Sequence, residues 1–424
     1  MNSDIVHSPR NSHSLIMRHH LKAAIILLTL ARVPSAFGGE SLDSLVQNAI
    51  NVSLAHLERS VIEVRDTTMY PTYGTKDLKW QLRNAGDWTS GFYPGCLWYA
   101  FEMSRDRRFE RWAREWTASL ESEKADTGTH DLGFKFMCSY GNGLRFGKGP
   151  AYAGYTPVLL AAARTLSDRY NPVVGALGSN WDSKPSGRSF PVIIDIMMNL
   201  DLLFWASEHG GGPLMEERAI HHAETTCRDF VRTDGGTYHI VRYDPATGRV
   251  INRGTIQGAG DETAWSRGQA WGIYGMVVAY RHTHREKFLE TAMRLADYFV
   301  AHLPPDRVSP WDFQSDITLK DVSATCITAS ALFELTHYVT SDSLRAHYRS
   351  EAEEMLRSLC RAPFFTGGRN TACLLDHSVQ HLPAKSNVDV PSIFADYYFL
   401  EAILRYRDQA GGEKVRGLSG GHTH

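Results

Sequence analysis

Residues 192–207 read VIIDIMMNLDLLFWAS, a segment apolar on nearly every side of a helical wheel, with Asp195 and Asn199 four apart on a single face. A helix of this kind is buried. Burial disfavours the charged form of a carboxyl group, so Asp195 is expected to hold a proton near neutral pH, as a general acid must. The same residue also fits a plain structural role, satisfied by backbone or by an arginine. Groups elsewhere in the chain decide between the two.

Outward from this helix, apolar periodicity near 3.6 marks about a dozen segments: 41–64, 91–104, 107–124, a short one at 131–139, 150–168, 191–208, 214–232, 266–283, 285–303, 319–339, 342–361 and 389–408. Strand signals concentrate in one hairpin, where residues 238–243 and 249–252 flank a turn containing Asp244, Pro245 and Gly248. No Pro/Ser-rich linker divides the chain, and the Pro- and Gly-bearing loop at 171–190 lies inside the helical series. Sequential helix pairs with short turns predict an all-α fold, an (α/α)6 barrel with one small β-hairpin, filling residues 39–424 as a single domain.

The remaining composition excludes several classes. A net charge of −2 with 22% charged residues lacks the basic footprint of a nucleic-acid binder. Arg18 and Lys22 precede an apolar run at 23–30, and Ala36-Phe37-Gly38 offers a small-x-small cleavage pattern, so residues 1–38 read as a signal peptide. The run is too short to span a bilayer, and no cysteine near the cleavage pattern offers a membrane anchor. An exported protein, periplasmic or secreted, is expected. The six cysteines show no CxxC spacing, although Cys360 and Cys373 flank a loop and could pair in an oxidising compartment. HExxH and GxSxG are absent, and residues 141–147 lack the context of a phosphate loop, so metal, esterase and nucleotide readings fall.

Chemistry-bearing residues gather at five places: Trp88–Trp98, rich in Gly and aromatic residues; His130-Asp131; Asp195 with Asn199; Tyr238-His239 with Gln257; and residues 261–275, with Trp265, Arg267, Trp271 and three glycines at the start of an apolar helix. Glycine is about 1 kcal/mol worse than alanine inside a helix, so the backbone there is expected to approach something closely. Two carboxylates, a histidine, a glutamine, an arginine and stacking aromatics together make a carbohydrate site with an anion-reading group.

Trp88-x-x-Gly-Phe-x-Pro-Gly-x-Leu-Trp98, His130-Asp-x-Gly-Phe134, Asp195-x-Met-Met-Asn-Leu200, Tyr238-His239, Trp265-Ser-Arg-Gly-Gln-Ala-Trp271 and the 388–401 segment resemble, in order along the chain, the motifs of the unsaturated glucuronyl hydrolases, glycoside hydrolase family 88. The resemblance implies an (α/α)6 barrel, no metal or other cofactor, and exo-acting removal of a 4,5-unsaturated uronic acid from oligosaccharides left by polysaccharide lyases. It makes Asp195 the general acid and base and Asp131 the second essential carboxylate. It places Trp88, His239, Gln257, Trp265, Arg267 and Trp271 on the sugar subsites. Ile256 departs from the family pattern, where a histidine commonly precedes the glutamine, as do Gly236 and Ala264 at frequent hydroxyl positions. The alternatives are an unsaturated rhamnogalacturonyl hydrolase and a non-catalytic carbohydrate-binding protein of the same fold.

Overall fold

The computed structural model describes residues 40–180 and 189–410. The signal peptide expected at 1–38, and residues 181–188 of the loop at 171–190, lie outside the described residues. From Ser41 onward the described residues form one compact unit.

The chain opens with α1 (Leu42–Val64), whose first turn is capped by the Ser41 hydroxyl accepting from the Ser44 N–H at 3.1 Å. A hairpin of β1 (Met69–Gly74) and β2 (Trp80–Asn84) leads to α2 (Phe92–Ser104) and α3 (Arg107–Ala118). Next come α4 (Leu132–Phe136), a π turn at Met137–Gly141, α5 (Asn142–Phe146) and α6 (Tyr155–Ser167). Short strands β3 (Tyr170–Asn171), β4 (Ala176–Leu177) and β5 (Phe190–Ile193) precede α7 (Ile196–Ala206) and α8 (Pro213–Asp229). Strands β6 (Ile240–Tyr243) and β7 (Val250–Gly254) precede α9 (Ser266–Thr283), α10 (Glu286–Ala301), α11 (Val322–Leu335) and α12 (Asp342–Leu359). The hairpin β8 (Ser378–His381) and β9 (Ser386–Val390) leads into α13 (Ile393–Ala410).

Inner helices α2, α4 with α5, α7, α9, α11 and α13 contact one another in that order, and α13 closes the ring on α2. Outer helices α1, α3, α6, α8, α10 and α12 pack outside them, which completes the (α/α)6 barrel. Sequence explains the division. The inner helices α2, α7 and α11 are buried around almost their whole circumference, whereas α3 buries only Phe109, Ala113, Trp116 and Thr117 on one stripe.

The expected hairpin at 238–252 is present as β6–β7, but β5 joins it to make a three-stranded sheet, and among the described residues three further two-stranded sheets accompany it. The helix read from residue 191 therefore starts only after Asp195. Residues 190–193, two of them β-branched, instead pair with β6, from Phe190 opposite Tyr243 to Ile193 opposite Ile240. All six cysteines are free, Cys360 and Cys373 included.

The close approach expected of the glycines in the 261–275 block is met by neighbouring parts of the fold. A Cβ on Gly275 would stand 2.4 Å from the Met197 Cβ and 3.0 Å from its carbonyl carbon, so α9 lies backbone-close against α7. Gly275→Ala should therefore overpack this contact and destabilise the protein by about 1–3 kcal/mol. A thermal melt of the purified variant reads this as a lowered Tm; an unchanged Tm would mean that α9 and α7 are not so close.

Candidate active site

Asp131 and Asp195 occupy the same local position, each the residue at which a helix of the inner ring begins: Asp131 opens α4 and Asp195 opens α7. An aspartate there ordinarily turns its carboxylate back onto the first-turn N–H groups. Neither does, so both carboxyl groups are left to face outward. Asn199 ties the two entrances together. Its Oδ1 accepts the Phe134 N–H at 3.0 Å and its Nδ2 donates to the Asp195 carbonyl at 3.4 Å. Gly133 permits the approach, since a Cβ there would lie 2.4 Å from the Asn199 Cα.

Between the two acids lies a cleft of about 420 Å³, lined by Trp88, Thr129, His130, Asp131, Asn180, Ile193, Asp195, Gln257, Arg267 and Gln380, with Gly86, Asp126 and Gly128 at its margin. This is the size of a small-ligand site. The side chains of Asp131 and Asp195 are 13% and 15% exposed, enough for each to show one edge to the cleft.

Burial pushes the Asp195 carboxyl from the usual 3.8 up to about 7; the Arg267 guanidinium opposes the rise, the Asp131 charge reinforces it, and the Trp271 indole lowers it slightly. Its Oδ2 is buried without a hydrogen-bond partner and lies 3.7 Å from the His239 Nε2. The His239 ring is fixed from behind. Its Nδ1 accepts from the backbone N–H groups of Ile256 (3.1 Å) and Gln257 (3.3 Å), so the ring proton sits on Nε2, facing Asp195. Burial brings the imidazole down to about 3, which keeps it neutral.

The structure brings Trp88, Asp131, Asp195, Gln257 and Arg267 to the cleft wall and sets His239, Trp265 and Trp271 behind it. Trp265 packs against the His239 ring, 4.6 Å away, and the Arg267 guanidinium, 4.5 Å away. Trp271 packs on Phe134 and Tyr398. Arg267 itself is 2% exposed. It pairs with Asp321 at 2.6 Å and donates to the carbonyls of Val379 and Gln380, so much of its donor capacity is engaged within the fold. Gln257 donates to the Gln380 carbonyl at 2.7 Å. Thr129, Asn180 and Gln380 are cleft residues not singled out from the sequence. His130 carried a signal in its adjacency to Asp131, while Gln380 sits on a strand with no legible pattern. Among the described residues no group of three or more His, Cys, Asp or Glu is placed to hold a metal ion, and no helix is long and apolar enough to cross a membrane.

No family model matches the chain. An unsaturated glucuronyl hydrolase of Formosa agariphila is 39% identical to it over 326 residues, covering 75% of this chain and 80% of its own. An unsaturated chondroitin disaccharide hydrolase of Streptococcus pyogenes serotype M1 is 32% identical, covering 80% and 85%. Among solved structures, that of an unsaturated glucuronyl hydrolase specific for heparin shares 36% identity and a TM-score of 0.82, covering 87% of this chain and 98% of its own.

The raised Asp195 has a consequence for stability. Between its unfolded value of 3.8 and its folded value of about 7 the native protein binds the extra proton, so stability falls as pH rises through that window and stays low above it. Asparagine carries no such cost. Asp195→Asn should be more stable than the wild type at pH 8, by about 4 kcal/mol at most, with the difference vanishing near pH 4. Denaturant melts at the two pH values check this, and equal stability at pH 8 would show Asp195 to be unstrained.

Proposed function

The chain belongs to the unsaturated glucuronyl hydrolases, and from that premise we propose that Asp195 and Asp131 release a 4,5-unsaturated uronic acid from the non-reducing end of an oligosaccharide by hydrating its double bond. The observation that carries this reading is a carboxyl group raised to about 7 in a cleft that also holds a second carboxylate. A protein that merely bound sugar would gain nothing from that strain.

A 4,5-unsaturated uronate is an enol ether, so proton addition at C4 followed by water addition at C5 is easier than displacement at the anomeric carbon. The resulting hemiketal opens and frees the sugar. Because Asp195 Oδ2 is buried and faces the His239 Nε2–H, its other oxygen is the one that shows to the cleft and delivers the proton. The same carboxyl, now ionised, then takes a proton from the attacking water. Asp131, held by the Thr129 hydroxyl at 3.3 Å, steadies positive charge on the ring. Trp88, braced edge-on by Phe92 and Phe134, offers a flat face to the sugar. Gln257 and Arg267 supply donors at the wall.

Unsaturated disaccharides from chondroitin, hyaluronan, heparin and pectin test the reading through loss of the double bond's ultraviolet absorbance. Asp195→Asn should fall by about 10²-fold or more in kcat, the usual contribution of a positioned acid or base. A variant keeping a tenth of the wild-type rate places the acid elsewhere. Since the acid must be protonated, kcat/KM should decline on the alkaline side with a midpoint near 7. In Asp131→Asn, besides a severe loss of rate, that midpoint should move down, because the charge that raises Asp195 is gone.

We also propose that the protein is exported, with its mature terminus near Gly39, on the strength of the charged, apolar and small-residue order of its first 38 residues. Amino-terminal sequencing of the secreted protein decides this; an intact Met1 on the active form excludes it.

A further inference from the structure

Gln380 lines the cleft, and its backbone carbonyl is already covered by Gln257, at 2.7 Å, and Arg267, at 2.8 Å. Its side chain is therefore what it offers to the cleft. Which end of that amide faces inward is decided at a distance, by a row of amides that runs from the β1–β2 hairpin to the β8–β9 hairpin. The row starts at the Gly74 carbonyl, which can only accept, so the end of Gln81 that meets it at 3.3 Å is Nε2. The same nitrogen meets Asn387 at 3.3 Å, and the Asn387 atom there must accept, so it is Oδ1. Asn387 then turns Nδ2 to Gln380, and the atom that receives it at 2.6 Å must be Oε1. The Ser386 hydroxyl donates to the same oxygen at 3.4 Å.

Gln380 Nε2, with both its N–H groups, is left without a partner among the described residues. Ser386 and Asn387, which hold the oxygen, do not line the cleft, whereas Gln380 does. The nitrogen is thus the end turned to it. The backbone at Asn387 has φ 46°, a region that asparagine and aspartate enter more readily than most residues.

What a pair of donors reads there follows from charge. Asp126, Asp131 and Asp195 all line the cleft, and among the described residues that line it Arg267 is the only lysine or arginine. A uronate carboxylate is repelled by the acids and drawn to Arg267. That guanidinium has committed Nη1 to Asp321 and the Val379 carbonyl, and part of Nη2 to the Gln380 carbonyl. A carboxylate has lone pairs for about four donors, more than Arg267 has left to give. The residue that already grips the guanidinium carries the further donor. We infer that Gln380 is a substrate-reading residue, whose Nε2, turned inward by Gln81 and Asn387, donates to the carboxylate of the unsaturated uronic acid beside Arg267. The inference rests on the activity proposed above.

Kinetics of the full-length enzyme on one unsaturated disaccharide, as the free uronate and as its methyl ester, test it. Gln380→Glu keeps the acceptor for Asn387 but turns a charged oxygen inward. KM for the free uronate should rise about tenfold or more with kcat within about threefold, and the loss on the ester should stay within about threefold. Asn387→Asp lies outside the cleft and replaces the donor to Gln380 by an acceptor, so the Gln380 amide turns over and shows its oxygen to the substrate. KM for the free uronate should then rise about threefold or more, which decides the matter should Gln380→Glu fail to fold. In a Gln380→Ala background the same substitution should cost nothing further, since it acts through the amide. A loss shared equally by acid and ester places Gln380 on another part of the sugar and overturns the inference. So does a fall in kcat at constant KM, an unchanged KM, or an Asn387→Asp effect that persists without the Gln380 amide. A wild type that turns over no unsaturated disaccharide overturns the proposed activity and this inference with it, whereas an active wild type beside indifferent Gln380 variants overturns the inference alone.

Discussion

Asp195 keeps its proton at neutral pH because burial strips water from its carboxyl group, and the guanidinium that opposes this, that of Arg267, is itself paired with another carboxylate. Arg267 meets Asp321 at 2.6 Å with both side chains almost wholly buried, and a buried ion pair broken on one side leaves a strongly uncompensated charge. Arg267 already pulls the Asp195 carboxyl down, and its pairing with Asp321 gives that guanidinium a counter-ion of its own. The pair does a second thing. By holding Arg267 against the carbonyls of Val379 and Gln380 it fastens β8 to the start of α9, which sets one wall of the cleft. Charge balance and wall position therefore come from the same contact.

The helices supply the ring, but the small sheets at its mouth aim the side chains. Strand β5 delivers Asp195. Its continuation is pinned where the Ile194 N–H donates to the His239 carbonyl, and the His239 N–H donates to Gly254 at the end of β7, so the acid and the histidine behind it share one framework. Strand β8 contributes Gln380, whose carbonyl receives both Gln257 and Arg267. Loops alone would leave these groups free to drift, and a loss of about 1 Å in such a site is worth up to 10²-fold in rate.

The barrel was legible because the inner helices are apolar all round and the outer ones on one stripe, a contrast that periodicity detects directly. Asp195 was legible for a reason that was half right. Its surroundings are as apolar as residues 192–207 suggest, yet it sits at the helix entrance, because a run of β-branched residues next to the sheet pairs as β5 instead of joining the helix. Sequence could not tell Trp88, which faces the cleft, from Trp265 and Trp271, which stack behind it: all three are aromatic residues beside glycines, and only the packed neighbours distinguish them. The glycines at 268, 272 and 275 announce a close backbone approach but not its partner, which for Gly275 is Met197 on α7. Asn180 and Gln380 left no trace, since their roles depend on partners 50 and 123 residues distant in sequence.

The helix that follows Asp195 raises a last question of balance. The amino-terminal end of α7 carries partial positive charge, which favours the ionised carboxyl and works against a raised pKa. Its size is about 0.3–1 kcal/mol, less than one pKa unit, while burial and Asp131 together lift the group by several times that amount. Burial wins, and in the mechanism we propose the group starts each cycle as an acid. After it has given its proton to C4, the same helix end and the neutral Nε2–H of His239 are already oriented toward the new anion, so the carboxylate needed for the water step forms without rearrangement of its surroundings. A capping bond from the Asp195 side chain would have stabilised the helix by about 1 kcal/mol, but it would also have turned the carboxyl away from the cleft and fixed it in its charged form. Leaving that cap unmade keeps the carboxyl free for the two roles we propose for it, acid first and base second.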